Sequence, residues 1–199
     1  MRRDDLHPDP LRQFESWLAR ASSNGVAVPE TMTLATASAA GRPSARQVLL
    51  KGFDERGFVF YSNARSRKGR ELAENPHAAL LFHWQPLGLQ VRIEGGVDEV
   101  DRAESERYFL TRPLGSRLSA AVSPQSEVVR SRAELERRVA ELRAAVGGGG
   151  EGPPLPEHWG GYRLAPAEYE FWEHRDDRLH DRFRYRRHDG GWLIERLAP

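Results

Sequence analysis

Cysteine is absent from the 199 residues, and lysine nearly so: of thirty basic residues only Lys51 and Lys68 are lysines. The first absence excludes disulfides, thiolate nucleophiles and cysteine-ligated metals. No apolar run approaches the ~20 residues that span a bilayer. Met1 to Pro10 lacks the apolar core of a secretory signal. Thirty basic residues stand against twenty-nine acidic ones, a net charge of +1, so no global field draws in nucleic acid or membrane. There is no Gly-x-Gly-x-x-Gly, no Walker loop and no alternating βαβ pattern, which argues against Rossmann and P-loop sites. His174, His180 and His188 lack the spacing of a metal site, and no nucleophile elbow supports a Ser–His–Asp triad. The expectation is one cytoplasmic domain over residues 1–199. A mean hydropathy of -0.67 with 30% charged residues also suits a dimer.

What is present reads as strands with helices between them. Asp9-Pro10 caps a helix over about residues 10–24, with Leu11, Phe14, Leu18 and Ala21 at helical spacing and Gly25 closing it. Strands follow at 31–37, 45–53 and 58–61, punctuated by turns at Ala40-Gly41-Arg42-Pro43 and Asp54-Glu55-Arg56-Gly57. A short helix is expected over 66–74, then strands at 78–84 and 89–99. Asp101 with Glu104, and Ser131 with Glu134, have the spacing of capping boxes. Behind the second, Leu135, Val139, Leu142 and Val146 make one apolar face. A flexible Gly/Pro connector is expected over about 147–156. The end returns to strands at 160–165, 168–174, 181–187 and 192–197. The fold class is mainly β with inserted helices (α+β), an antiparallel closed or split barrel.

Lysines retained where arginine is otherwise used mark positions suited to a compact ammonium, with phosphate the obvious ligand. In the run Arg46-Gln47-Val48-Leu49-Leu50-Lys51, alternation puts Arg46, Val48 and Leu50 on one face and Gln47, Leu49 and Lys51 on the other. A charged-ended edge strand is the plainer alternative. Ser66-Arg67-Lys68 would offer a hydroxyl, two cations and helix-start amides to a phosphate, or simply be a solvated helix start. Gln125-Ser126 reads as a turn. Arg178, His180 and Arg182 have period two, so on a strand they share a face near Trp172. That row would hold a planar anion, or else pair with Asp176, Asp177 and Asp181 at the surface.

Together these segments resemble the pyridoxamine 5′-phosphate oxidase family, from about Asp9 to Pro199. The carrying motifs are Arg46 to Lys51, Phe60-Tyr61-Ser62-Asn63 with Ser66-Arg67-Lys68, and Tyr108-Phe109-Leu110-Thr111-Arg112-Pro113. Ser123-Pro124-Gln125-Ser126, Phe171-Trp172, Arg178-Leu179-His180-Asp181-Arg182 and Glu195 to Pro199 complete them. The resemblance implies a split-barrel homodimer with FMN bound non-covalently at the subunit interface. It assigns the flavin to Arg46, Gln47, Val48, Leu49, Leu50, Lys51, Tyr61, Ser62, Arg67, Lys68, Gln90, Gln125, Ser126, Trp172 and Arg182. It assigns the substrate phosphate to Lys51, Tyr108, Arg112 and Ser116, and the substrate ring to Arg178 and His180 as the catalytic pair. The implied reaction is hydride transfer from C4′ of a phosphorylated pyridine to flavin, with dioxygen as final acceptor and hydrogen peroxide released.

The chain departs from the family's usual pattern at three places. Its N-terminal lid is expected to be shortened, Arg117-Leu118-Ser119-Ala120 replaces a common Gln-Ile-Gly-Ala, and Val28 replaces a frequent acidic residue. Three other readings remain open: an oxidase of another ring such as a phenazine precursor, a non-catalytic FMN or pyridoxal-phosphate carrier, and an RNA-binding barrel using Arg182, Arg184 and Arg186.

Overall fold

In the computed structural model, which describes residues 1–146 and 152–199, nine antiparallel strands are found among the described residues. They are β1 (Thr31–Ala37), β2 (Pro43–Leu49), β3 (Gly52–Asp54), β4 (Gly57–Asn63), β5 (His77–Trp84), β6 (Leu89–Glu99), β7 (Trp159–Glu173), β8 (Asp181–His188) and β9 (Gly191–Leu197). Five helices accompany them among the described residues: α1 (Pro10–Ser23), α2 (Arg67–Glu74), α3 (Arg102–Thr111), α4 (Leu114–Val122) and α5 (Arg132–Ala145). The strand order is β2-β1-β5-β6-β7-β4-β3, with β8 and β9 added beside β7.

β7 forks this sheet. Its first half pairs with β4, from Asn63↔Trp159 to Phe58↔Leu164, and its second half pairs with β8, from Glu168↔Arg186 to Glu173↔Asp181. β6 runs along its other edge and shifts register between Glu94 and Gly95. The two strands expected at 160–165 and 168–174 are therefore one strand that changes neighbour at Pro166. The reverse correction applies to 45–53. That run breaks after Leu49, where the Leu50 amide donates to Glu30 O and the Lys51 amide to Val59 O. The corner carries the chain from β1 across to β4.

α1 fills the concave side. The Asp9 carboxylate accepts from the Leu11 amide at 2.9 Å, and Pro10 occupies the first turn. Phe14 is fully buried, with ring centroids 5.2, 5.0 and 4.9 Å from Phe53, Phe58 and Phe82. Trp17, one turn on, meets Phe171 edge-on at 5.2 Å. Edge-on aromatic pairs of this kind add ~0.5–1.5 kcal/mol each to their burial.

The helix caps divide. Ser131 Oγ accepts from the Glu134 amide as expected, although the Glu134 carboxylate pairs with Arg138 instead of closing the box. Asp101 makes no side-chain cap, and Glu104 is drawn to Arg163 at 2.9 Å. The apolar face of α5 is only half-buried at Leu135, Val139 and Leu142. α4 was not expected from the sequence. The expected connector lies outside the described residues over 147–151. No helix among the described residues is long and apolar enough to cross a membrane.

Candidate active site

A cleft of ≈ 590 Å³ opens where β2, β4, α2, α3 and α4 converge. Arg46, Lys51, Lys68 and Arg112 line it, and among the described residues no carboxylate does. Four cations facing one cavity whose described lining has no carboxylate make a strong case for an anionic ligand.

Each cation is held by its element. Lys68 sits in the first turn of α2, where Ser66 Oγ caps the helix by accepting from the Gly69 amide. Its buried Nζ donates to Ser62 Oγ at 3.1 Å, Ser66 Oγ at 3.3 Å and Gln125 Oε1 at 3.0 Å. Burial, and then the neighbouring Arg46 charge, lower its pKa to about 8. Arg46 is braced from behind. Its Nη1 donates to Leu34 O and Thr36 Oγ1, and its Nη2 to Ser44 Oγ and to Glu71 Oε2 at 3.4 Å. Burial would raise the Glu71 carboxyl, but hydrogen bonds from Ser44, Thr36 and Arg67 bring it down to about 2, so it stays ionised. Arg112 follows α3 with its guanidinium 4.8 Å from the Trp159 ring. Its Nη1 is buried with no hydrogen-bond partner among the described residues, and burial lowers its pKa. A buried N–H left unpaired is costly unless a ligand meets it. Lys51 projects from the corner between β2 and β3.

An aromatic wall faces these charges. Tyr61 and Tyr108 stack at 4.0 Å, and Tyr61 lies parallel to Trp159 at 5.3 Å. α4 adds Ser116 and Ser119 to the lining, and its C-cap adds Ser123.

Of the residues singled out in the sequence, Arg46, Gln47, Val48, Leu49, Lys51, Tyr61, Ser62, Lys68, Tyr108, Arg112, Ser116 and Gln125 all line this cleft. Leu50 points into the core, 4% exposed. Arg67 lies outside the lining and donates from Nε to Glu71 at 2.9 Å. Ser126 is exposed beside Gln125, with φ at 74°. Asn63, Ser119, Ser123 and Trp159 line the cleft although the sequence reading assigned none of them to the site. The period of Ser116, Ser119 and Ser123 was the available signal for α4; Trp159 offered none.

The remaining residues form a second cluster. Register places Gln90 opposite Trp172 and Trp172 opposite Arg182, a row across β6, β7 and β8. Arg182 Nε donates to Glu170 at 2.6 Å. Arg178 and His180 are not on a strand with it, because β8 begins at Asp181. They lie in the preceding loop, Arg178 with φ at 67° and the His180 ring 4.6 Å from Trp172. Asp181 is paired with Arg175 and Arg196 instead of Arg178. None of this row lines the cleft of its own chain.

The chain matches two family models, "Pyridoxamine 5'-phosphate oxidase" over residues 21–145 and "Pyridoxine 5'-phosphate oxidase C-terminal dimerisation region" over residues 159–199. It is 57% identical over 198 residues to a pyridoxine/pyridoxamine 5′-phosphate oxidase of Burkholderia thailandensis, covering 98% of this chain and 91% of that one. The corresponding protein of Burkholderia pseudomallei is 55% identical with the same coverage. Among solved structures it is similar to PhzG from Burkholderia lata 383 in complex with tetrahydrophenazine-1-carboxylic acid. That match has a TM-score of 0.91 and 35% identity, covering 98% of this chain and 95% of that one. A pyridoxamine 5′-phosphate oxidase-related, FMN-binding protein of Nostoc punctiforme shares the fold, with a TM-score of 0.74 at 19% identity over 98% of this chain and 100% of that one. This chain belongs to the pyridoxamine 5′-phosphate oxidase family.

Proposed function

We propose that the protein is an FMN-dependent oxidase that converts pyridoxamine 5′-phosphate and pyridoxine 5′-phosphate to pyridoxal 5′-phosphate, reducing dioxygen to hydrogen peroxide. The observation that carries this reading is the cleft lined by Arg46, Lys51, Lys68 and Arg112 with no carboxylate among the described residues. Two phosphate-bearing ligands would use such a charge excess; a single monoanion would not.

The cleft's donors fit FMN. Lys68 and Arg46 would hold its phosphate, with Arg67 available from the same helix start. FMN supplies the two-electron acceptor when bound. Lys51, Tyr108, Arg112 and Ser116 would bind the substrate phosphate, the unpaired Arg112 Nη1 finding its acceptor there. Gln90, Trp172 and Arg182 would enter from a second copy, together with Arg178 and His180 over the substrate ring. The chain's part is positioning and water exclusion. The amine substrate with dioxygen and water gives the aldehyde, ammonia and peroxide; the alcohol with dioxygen gives the aldehyde and peroxide.

The likeness to PhzG favours a second reading, a related flavin oxidase of a carboxylated phenazine precursor. The test is aerobic turnover of both B6 phosphates by FMN-loaded protein, following aldehyde and peroxide together, with tetrahydrophenazine-1-carboxylic acid in parallel. Both products from the phosphates are expected. Turnover of the phenazine alone overturns the proposal.

A further inference from the structure

The loop between β7 and β8 is built around one residue that the function above does not use. Glu173 ends β7 and Asp181 begins β8, and the two are register partners. Two facing carboxylates repel. Arg175 spans them, Nε to Asp181 Oδ2 at 2.8 Å and Nη2 to Glu173 Oε2 at 3.1 Å. Arg196 of β9 takes the other Asp181 oxygen at 2.7 Å, and the Met1 amino group rests on both carboxylates. With these partners, first Arg196, Asp181 stays far below the usual carboxylate range.

The backbone amide of Arg175 does something separate. It donates to His180 Nδ1 at 3.0 Å. A backbone N–H only donates, so Nδ1 is the acceptor and is unprotonated. In the neutral ring the proton is then on Nε2. Trp172 at 4.6 Å and His174 at 5.2 Å flank the imidazole. An Asp177 turn, in which Oδ1 accepts from the Leu179 amide at 3.0 Å, sets the bend before it.

We infer that Arg175 is a positioning residue for His180: its guanidinium closes the loop across Glu173 and Asp181, and its amide fixes the Nε2–H tautomer. His180 then meets the substrate ring as a hydrogen-bond donor and not as a general base. This rests on the oxidase reading above. The charged and titratable groups around His180 are His174 with Asp176 beside it, Arg175, Arg178, Glu173, Asp181 and Arg182. Removing the Arg175 guanidinium leaves the two carboxylates less compensated. The loop then loses its closure, and the imidazole loses its fixed orientation.

The test begins with 15N-edited NMR of the His180 imidazole in the FMN-loaded protein at pH 8, assigned against His180→Asn. Nδ1 unprotonated and Nε2 protonated is the expected spectrum, and a protonated Nδ1 overturns the inference. Kinetics follow on pyridoxine 5′-phosphate. Arg175→Ala is expected to keep its FMN Kd within twofold and lose at least tenfold in kcat, with partial recovery in Arg175→Lys. His180→Gln, which can donate but not act as a base, should turn over at least tenfold faster than His180→Ala. An unchanged kcat in Arg175→Ala, or equal rates for the two His180 variants, overturns it. If the parent protein turns over neither phosphate, the oxidase reading fails, and the NMR spectrum still decides the tautomer.

Discussion

Lys68 keeps its ammonium in a place that works against it. Burial and the Arg46 charge bring its pKa down from 10.5 to about 8, and its three acceptors are neutral oxygens. An arriving phosphate reverses that balance, since a charged hydrogen bond contributes ~1.5–3 kcal/mol. Lys68→Met should therefore weaken FMN binding roughly 10–100-fold, the same interaction written as a ratio. Flavin-fluorescence titration would measure it. The pH dependence has a definite sign. Above pH 8 the free protein loses the Lys68 proton that phosphate requires, so FMN affinity should fall as pH rises through about 8. Stability of the FMN-free protein moves the other way. With the folded pKa below the unfolded one, this group makes the protein gain stability between about 8 and 10.5. Thermal melts of Lys68→Met should lack that rise.

Gly161 belongs to the scale of paired strands. It lies opposite Tyr61 in the β4–β7 register, and a Cβ there would come within 2.7 Å of the Tyr61 ring and 2.5 Å of Val100. Only a missing side chain lets the Tyr61 ring lie parallel to both Tyr108 and Trp159. Gly161→Ala should cost ~1–3 kcal/mol by overpacking, lower Tm by several degrees, and loosen the cleft's aromatic wall. An unchanged Tm would show that the ring moves aside freely. The same scale explains what the sequence could and could not disclose. Composition picked out Lys51 and Lys68 because they resist an arginine bias, and both line the cleft. Alternation described β2 correctly, with Arg46 and Val48 half-buried and Gln47 and Leu49 exposed. Propensity cannot show where a strand trades one neighbour for another, so the corner at Leu50-Lys51 and the fork of β7 were invisible. α4 was missed because Gly115, Ser116 and Ser119 are poor helix formers; packing of the buried Leu118 holds it. Arg178 and His180 have the period of a strand, but the left-handed backbone at Arg178 and the Asp177 turn make a loop of them.

At the scale of the whole molecule, the cations and the Gln90–Trp172–Arg182 row are separate features of one chain. The row lies within or beside residues 159–199, the region that matches a dimerisation model. If each site is assembled from the cleft of one subunit and the row and loop of the other, two defective variants should complement. Lys68→Met damages the cleft and Arg178→Ala damages the loop, so each homodimer alone should be at least tenfold slower, the second with its FMN affinity retained. In a mixed dimer of two-fold symmetry, one site carries both lesions and the other carries neither. Random reassembly of equal amounts makes about half the dimers mixed, so activity should recover to about a quarter of the parent's. Co-expression with two different affinity tags, followed by turnover of the doubly tagged dimer, measures this directly. A doubly tagged dimer no faster than its parents would mean that each subunit builds its site alone, with its own loop folding back over its own cleft.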